Sequence, residues 1–349
     1  MRGLYACLFF LFAVSVQAIA QEVDTIPINI KDFDLKLKKS PLPSAKGNIL
    51  FKPVVINPVV ISSKVNYWRT KTAIGINVNQ ASFSNNWTGG GVNSLAVGGL
   101  VNYKAEYIKD NYSYASEVIL QYGKIKNKNQ LQKKTNDRLF WDNKAAFQLS
   151  KNWYFFGSLT FESQFDNGFA YSTDGNGNEY GTLISKFMSP GYLTESVGFE
   201  YKPVKYFSTR LGTGTARQTF VLGNDELYTA MENDYIRKNG NLTGYVEKED
   251  NYGVKKGKTF TNDLAFQIVS NFEKDVFENV NLKVRYALFV PYDQIDYTSH
   301  RLDVAVTAKV NRFMNVSLTG VGLYDKNTGT DKIQGSQTMA MGFTFIFPR

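Results

Sequence analysis

The sequence predicts an all-β chain closed into a transmembrane antiparallel β-barrel of about 12 strands, and three observations carry that expectation. Segment after segment alternates apolar and polar residues with a period of two, so each strand offers one face to lipid and one to a polar lumen. The segments run about ten residues and end in aromatics, the length and ends of membrane-spanning strands. Short connections also alternate with long ones, as they do in outer-membrane barrels.

The first residues are of another kind. Arg2, an apolar run over 4–16 and Ala18-Ile19-Ala20 before Gln21 form an export signal over 1–20. Cys7, the single cysteine, lies inside it, so the mature chain is expected to carry no disulfide. Residues 21–65 mix Pro27, Pro41, Pro43, Pro53 and Pro58 with the charged stretch 32–39, which suits an extended periplasmic tail or linker. The barrel is assigned to 66–349.

The clearest hairpin is 94–123. Leu95, Val97, Val101, Tyr103 and Tyr107 share one parity, while Ser94, Asn102, Lys104 and Glu106 share the other. After a turn, Tyr112, Tyr114, Val118, Leu120 and Tyr122 stand against Ser113, Glu117 and Gln121. A strand before this hairpin sets Trp68, Ile74, Ile76 and Val78 outward, with Arg69 and Lys71 inward. Strands 4 and 5 set Leu139, Trp141, Phe147, Trp153, Phe155 and Phe161 outward, against Asp142, Lys144 and Glu162. Strand 6 carries Leu193, Val197, Phe199 and Tyr201. Strand 7, over 207–221, is weaker, because Arg217 falls on its apolar parity. Strands 8 to 12 are centred on Phe266, Val284, Val304, Leu318 and Phe343.

Short links follow the even strands, and long ones over 124–138, 166–191 and 222–258 follow odd strands. Both termini should therefore be periplasmic. Aromatics at the short-link ends, such as Tyr107, Tyr112, Trp153, Tyr201 and Phe272, fall on the outward parity of an interfacial girdle. The ending Phe343-Thr344-Phe345-Ile346-Phe347 resembles the last strand that the barrel assembly machinery recognises. The negative mean hydropathy of −0.28 fits a barrel whose strands keep one polar face.

Trp68, Asn86-Trp87-Thr88-Gly89-Gly90-Gly91, Ser150-Lys151-Asn152-Trp153-Tyr154, Phe187-Met188-Ser189-Pro190-Gly191 and Tyr201-Lys202-Pro203 resemble landmarks of a Bacteroidetes outer-membrane family catalogued as a domain of unknown function. The likeness spans about residues 65–347 and is least at Gly212-Thr213-Gly214-Thr215 and over 222–258. It implies an outer-membrane setting and brings no catalytic or ligand residue. Asn86, Trp87, Gly90 and Gly91 count as landmarks without a role.

The inward parity collects Arg69, Lys71, Lys104, Lys144, Arg210, Lys283, Arg285, Arg301 and Lys309, together with Glu106, Glu117, Asp142, Glu162, Glu200, Asp263 and Asp303. These are candidate pore-lining residues, whose charge would set selectivity. Equally, they could pair with one another and fill the barrel, since buried charges persist mainly when paired. Arg285 and Arg301 lie at neighbouring inward positions and suggest an electropositive constriction. Net charge is +9, which suits anionic lipid or anionic solutes. The basic residues form no single patch, so nucleic acid is not an expected partner.

The basic stretch Lys124, Lys126, Lys128, Lys133, Lys134 and Arg138 reads as an outer loop that could meet lipopolysaccharide or water. Gly89-Gly90-Gly91 lacks the Lys-Ser/Thr and the helix of a phosphate cradle and reads as a loop turn. His300, the single histidine, sits outward at the outer rim with no serine two residues on, so an enzyme is not expected. Scattered acids give no metal site, and no cofactor is expected. Two readings of function follow. One is a passive or gated channel for small polar or anionic solutes, with 222–258 as a candidate lid. The other is a closed, salt-bridged barrel with a structural or surface-interaction role.

Overall fold

The computed structural model describes residues 65–84, 91–311, 314–328 and 331–348. The export signal, the tail up to residue 64, and Asn86, Trp87 and Gly90 lie outside the described residues. The strands are β1 (Trp68–Ala81), β2 (Ser94–Lys109), β3 (Tyr112–Asn127), β4 (Lys133–Gln148), β5 (Trp153–Ser163), β6 (Gly168–Thr173), β7 (Glu179–Ser185), β8 (Gly191–Val204) and β9 (Phe207–Phe220). Helix α1 (Asn224–Asn239) follows, then β10 (Asp250–Asn251), β11 (Val254–Lys255), β12 (Phe260–Phe277), β13 (Val280–Pro291), β14 (Ser299–Lys309), β15 (Met314–Tyr324) and β16 (Gln334–Pro348).

Twelve of these strands close a barrel in the order β1-β16-β15-β14-β13-β12-β9-β8-β5-β4-β3-β2. Every neighbouring pair is antiparallel, and closure runs from Lys71↔Pro348 to Asn77↔Gly342. Closure leaves no strand edge, the condition for a sheet to cross lipid. The twelve strands are those that the alternation marks out. Strand β1 starts and β16 ends at the short-turn end. The connection expected over 124–138 is much shorter: β3 continues to Asn127 and β4 begins at Lys133, with Lys124↔Lys134 and Ile125↔Lys133 still paired. Lysines there read as loop by composition, although the ladder continues through them.

The outer wall is apolar and exposed, as at Ile76, Val97, Phe155, Phe199, Leu302 and Met341. At the short-turn end aromatics pair across strands, with ring centroids 5.2 Å apart for Trp68–Tyr107, 5.0 Å for Tyr112–Phe147 and 4.9 Å for Trp153–Tyr201. These rings form an interfacial belt. Polar groups on this wall are partly satisfied in place: Trp141 Nε1 donates to Ser116 Oγ at 3.2 Å, and the Tyr114 hydroxyl donates to Asn143 at 2.7 Å. Glu195 is exposed on the same wall.

Strand β9 departs from simple alternation. Leu211 pairs with Phe199 and Gly212 with Gly198, but the next pair is Gly214↔Val197, so Thr213 is an extra residue. The β12 side shows the same shift between Ala265 and Gln267. This bulge reverses the facing of everything beyond it. Arg217 therefore points into the lumen and not to lipid, which corrects the weak seventh strand of the sequence. Glycine is required where the bulge crowds the sheet: a Cβ on Gly198 would lie 2.0 Å from the Leu211 carbonyl oxygen.

The expected loops at the other end carry structure of their own. Strands β6 and β7 form a hairpin between β5 and β8. The segment between β9 and β12 holds α1 and the short β10–β11 hairpin. Acidic Asp225 and Glu226 open α1, Arg237 and Lys238 close it, and Gly240 ends it at φ 82°, an arrangement that suits the helix dipole and a glycine stop. Val221, Leu227 and Val254 form a small apolar core, with Leu183 and Tyr252 packed against it.

Candidate functional site

The lumen is filled unevenly. On the β4–β5–β8–β9 side several charged groups pack together among small buried residues such as Thr194, Ser196 and Thr215. Lys144 Nζ lies 2.6 Å from Glu200, Lys202 lies 3.4 Å from the same carboxylate, and Arg210 reaches Asp142 at 3.1 Å. Thr160 donates to Asp142 at 2.7 Å. The Lys144 and Glu200 side chains are 8% and 0% exposed, so these charges persist because they are paired.

Across the barrel many inward positions are small, among them Ala305 and Thr307 on β14, Ser317 and Thr319 on β15, Ser336, Thr338, Ala340 and Gly342 on β16, and Gly75 on β1. Ser336 and Thr338 are exposed although they face inward. Charged groups toward this side are looser. Lys104 pairs with Glu106 at 2.8 Å and Lys283 with Glu117 at 3.0 Å, yet the two lysines are 41% and 38% exposed. This half of the lumen is accessible to solvent.

Above the buried cluster, toward the long-loop end, is a chamber of about 140 Å³. Five arginines line it: Arg138, Arg210, Arg217, Arg285 and Arg301. Glu162 answers Arg138 at 2.8 Å and Arg301 at 3.1 Å, and Asp303 holds Arg301 at 3.0 Å. The Arg217 guanidinium lies 3.6 Å from the centroid of the Phe289 ring, and Arg285 lies 5.1 Å from that of Phe140. Among the described residues these two arginines make no ion pair.

Elements that cap the long-loop end tie to one another. Asn224, buried at the start of α1, donates to the carbonyls of Lys255 at 2.9 Å and Lys258 at 2.8 Å and accepts from Asn251 at 2.9 Å. The Tyr252 hydroxyl donates to the Ile184 carbonyl at 2.9 Å. Burial pushes the Tyr252 phenol up to about 12, so it remains a donor. Next to it, Gly253 packs against Asn327 of the β15–β16 connection. The β9–β12 segment thus touches both the β6–β7 hairpin and the loop beyond β15, on opposite sides of the chamber.

The sequence-marked residues therefore separate into groups. Glu162, Arg210, Arg285 and Arg301 line the chamber, with Asp303 held by Arg301. Asp142, Lys144 and Glu200 form the buried cluster. Lys104 with Glu106 and Lys283 with Glu117 line the accessible half. Arg69, Lys71 and Lys309 sit exposed toward the short-turn end, and Asp263 lies opposite Arg217 on β12. Gly91, with φ 130°, closes the loop before β2 and joins no lumen group. His300 stays on the outer wall, 2.9 Å from the Tyr286 hydroxyl.

Three residues of the chamber lining, Arg138, Arg217 and Tyr192, lie outside the inward set that the sequence marks. By composition Arg138 belongs with the basic outer loop, but it is in phase with Phe140 and Asp142 on β4 and points inward. The lysines of that stretch are also engaged, Lys124 with Asp166 at 2.8 Å and Lys133 with Glu179 at 2.5 Å. The signal for Arg217 was Gly212-Thr213-Gly214, a bulge composition.

No curated protein matches the chain. Among solved structures it is similar to the translocator domain of the autotransporter NalP from Neisseria meningitidis, at 9% identity over 80% of this chain and 88% of that one, with a TM-score of 0.35. It is also similar to an outer-membrane channel from Pseudomonas putida F1, at 8% identity over 84% and 100% of the two chains, and to the NanC porin, at 8% over 78% and 98%, each with a TM-score of 0.35. Likenesses of this degree transfer no residue and no activity. A family model described as a protein of unknown function (DUF3078) matches residues 78–169, from within β1 into β6.

Proposed function

We propose that the protein is an outer-membrane channel for small polar solutes, gated by the segment between β9 and β12. The carrying observation is the uneven lumen: inward Ser336 and Thr338 remain exposed beside small neighbours, while the buried ion pairs lie in the opposite half. In this reading residues 1–20 direct export and are removed, and 21–65 form a periplasmic tail. The barrel assembly machinery inserts the barrel, and the rim of long loops meets lipopolysaccharide. A barrel of 12 strands lies between the solid eight-stranded kind and the open 16-stranded kind, so a narrow path along one wall is what its size allows.

Single-channel conductance tests this. The refolded protein is expected to give brief, small steps in a planar bilayer, and replacing 225–256 by a short Gly-Ser turn should lengthen and enlarge them. Silence from both folded proteins would instead support the closed barrel with a surface role, which the buried Lys144–Glu200–Arg210–Asp142 cluster and the linked cap favour.

A further inference from the structure

Two cations in the chamber, Arg217 and Arg285, make no direct ion pair among the described residues. Arg217 arrives there through the β9 bulge, and its buried Nε has no hydrogen-bond acceptor. Arg285 reaches the same chamber from β13. Their guanidiniums sit over the rings of Phe289 and Phe140, which take up no N–H in a conventional hydrogen bond and so leave the planar donor edges for another partner. The surrounding acids are committed elsewhere. Glu162 serves Arg138 and Arg301, Asp142 serves Arg210, and Asp303 serves Arg301. Asp325, which also lines the chamber, accepts from the backbone N–H of Asn327 through Oδ1 and makes no ion pair with Arg217. Asp263, opposite Arg217 in register, lies beyond ion-pair distance.

A buried donor without an acceptor, such as the Arg217 Nε, is costly unless another group completes its hydrogen bond. We propose that this chamber binds a small oxyanion, a carboxylate or phosphate group, on the donor edges of Arg217 and Arg285. Planar guanidinium edges match such oxygens in pairs. At about 140 Å³ the chamber has room for a group of a few heavy atoms. This assignment deepens the channel reading and rests on the lumen being reached by solute.

The test is calorimetric titration of the refolded, detergent-solubilised protein with sodium phosphate and with sodium acetate at fixed chloride, run beside bilayer recordings. Heat-modifiable migration on a gel verifies the fold of each variant. Saturable uptake of at least one anion is expected, with the tighter one identifying a tetrahedral or a planar ligand. The pair R217Q/R285Q should weaken it by at least about tenfold, as loss of charge-assisted bonds requires. R217K, which keeps the charge but removes the planar edge, should weaken it too, and it covers the case in which the double variant does not fold. No saturable uptake of either anion by the folded protein would overturn the site, as would equal affinity in the folded variants. Uptake without conduction keeps the site and removes the channel, whereas conduction without uptake does the reverse.

Discussion

Two carboxylates on β8 show how strongly the facing of one side chain decides its energetic sign. Glu200 points inward, is fully buried and holds Lys144, with Lys202 and Arg210 close by. Glu195 has the opposite parity and stands exposed on the outer wall, between Leu159 of β5 and Ala216 of β9. It lies six residues from the Tyr201 girdle, about 16 Å at roughly 3.4 Å per residue and a tilt near 40°. Glu200→Gln removes the negative charge from a buried cluster of cations and is expected to cost about 3–5 kcal/mol. Glu195→Leu removes an ionisable group from the lipid face and should gain about 1 kcal/mol. Urea unfolding of the two variants in lipid vesicles measures both. Shifts of the same sign in the two would show that the assignment of facing is wrong.

At the scale of elements, the twelve barrel strands were legible because lipid on one side and a polar lumen on the other constrain every second residue. The limits of that legibility are physical as well. At Thr213 one extra residue inverts the parity, so a reading by strict alternation put Arg217 on the wrong face. Strands β3 and β4 reach beyond the membrane, where lipid no longer imposes alternation, and their lysines read as loop. Helix α1 was hidden because it buries little apolar surface, chiefly Leu227 and Tyr228. Its start and stop signals, Asp225-Glu226 and Arg237-Lys238 before Gly240, were nevertheless present.

Asn224 makes three hydrogen bonds that hold this segment together, so Asn224→Ala should loosen it. With hydrogen bonds worth about 1 kcal/mol each, loss of two or three should speed amide exchange across 221–259 by roughly 30- to 150-fold. Unchanged exchange there would mean that the apolar core of Val221, Leu227 and Val254 suffices. Acid should act in the same direction. Burial opposes ionisation of Asp234, but Lys238 and Tyr180 donate to it and hold its carboxyl below the usual range. That contribution is full above the ordinary Asp value of about 4 and is lost as pH falls through the lower, folded value. Pepsin should therefore cut α1 faster as pH drops below about 4.

For the molecule as a whole, the decisive quantity is the depth at which its outer wall meets lipid, because lumen, chamber and cap are placed relative to it. Trp68 and Trp153 belong to the girdle at the short-turn end. Trp141 lies six residues up β4 from Phe147, about 16 Å by the same rise and tilt, which puts it close to the centre of a hydrocarbon layer about 25 Å tall. Its indole N–H is satisfied by Ser116 on the neighbouring strand, so the ring can sit at this depth without a bare donor of its own. Variants that keep one of these three tryptophans, with the others and Trp87 changed to Phe, can be refolded into vesicles carrying brominated acyl chains. Bromines near the chain ends should quench Trp141 most, and those near the glycerol should quench Trp68 and Trp153 most. Were Trp141 quenched best by the shallow label, the barrel would sit displaced along its axis, and the arginine chamber would lie at the membrane surface and not within the span.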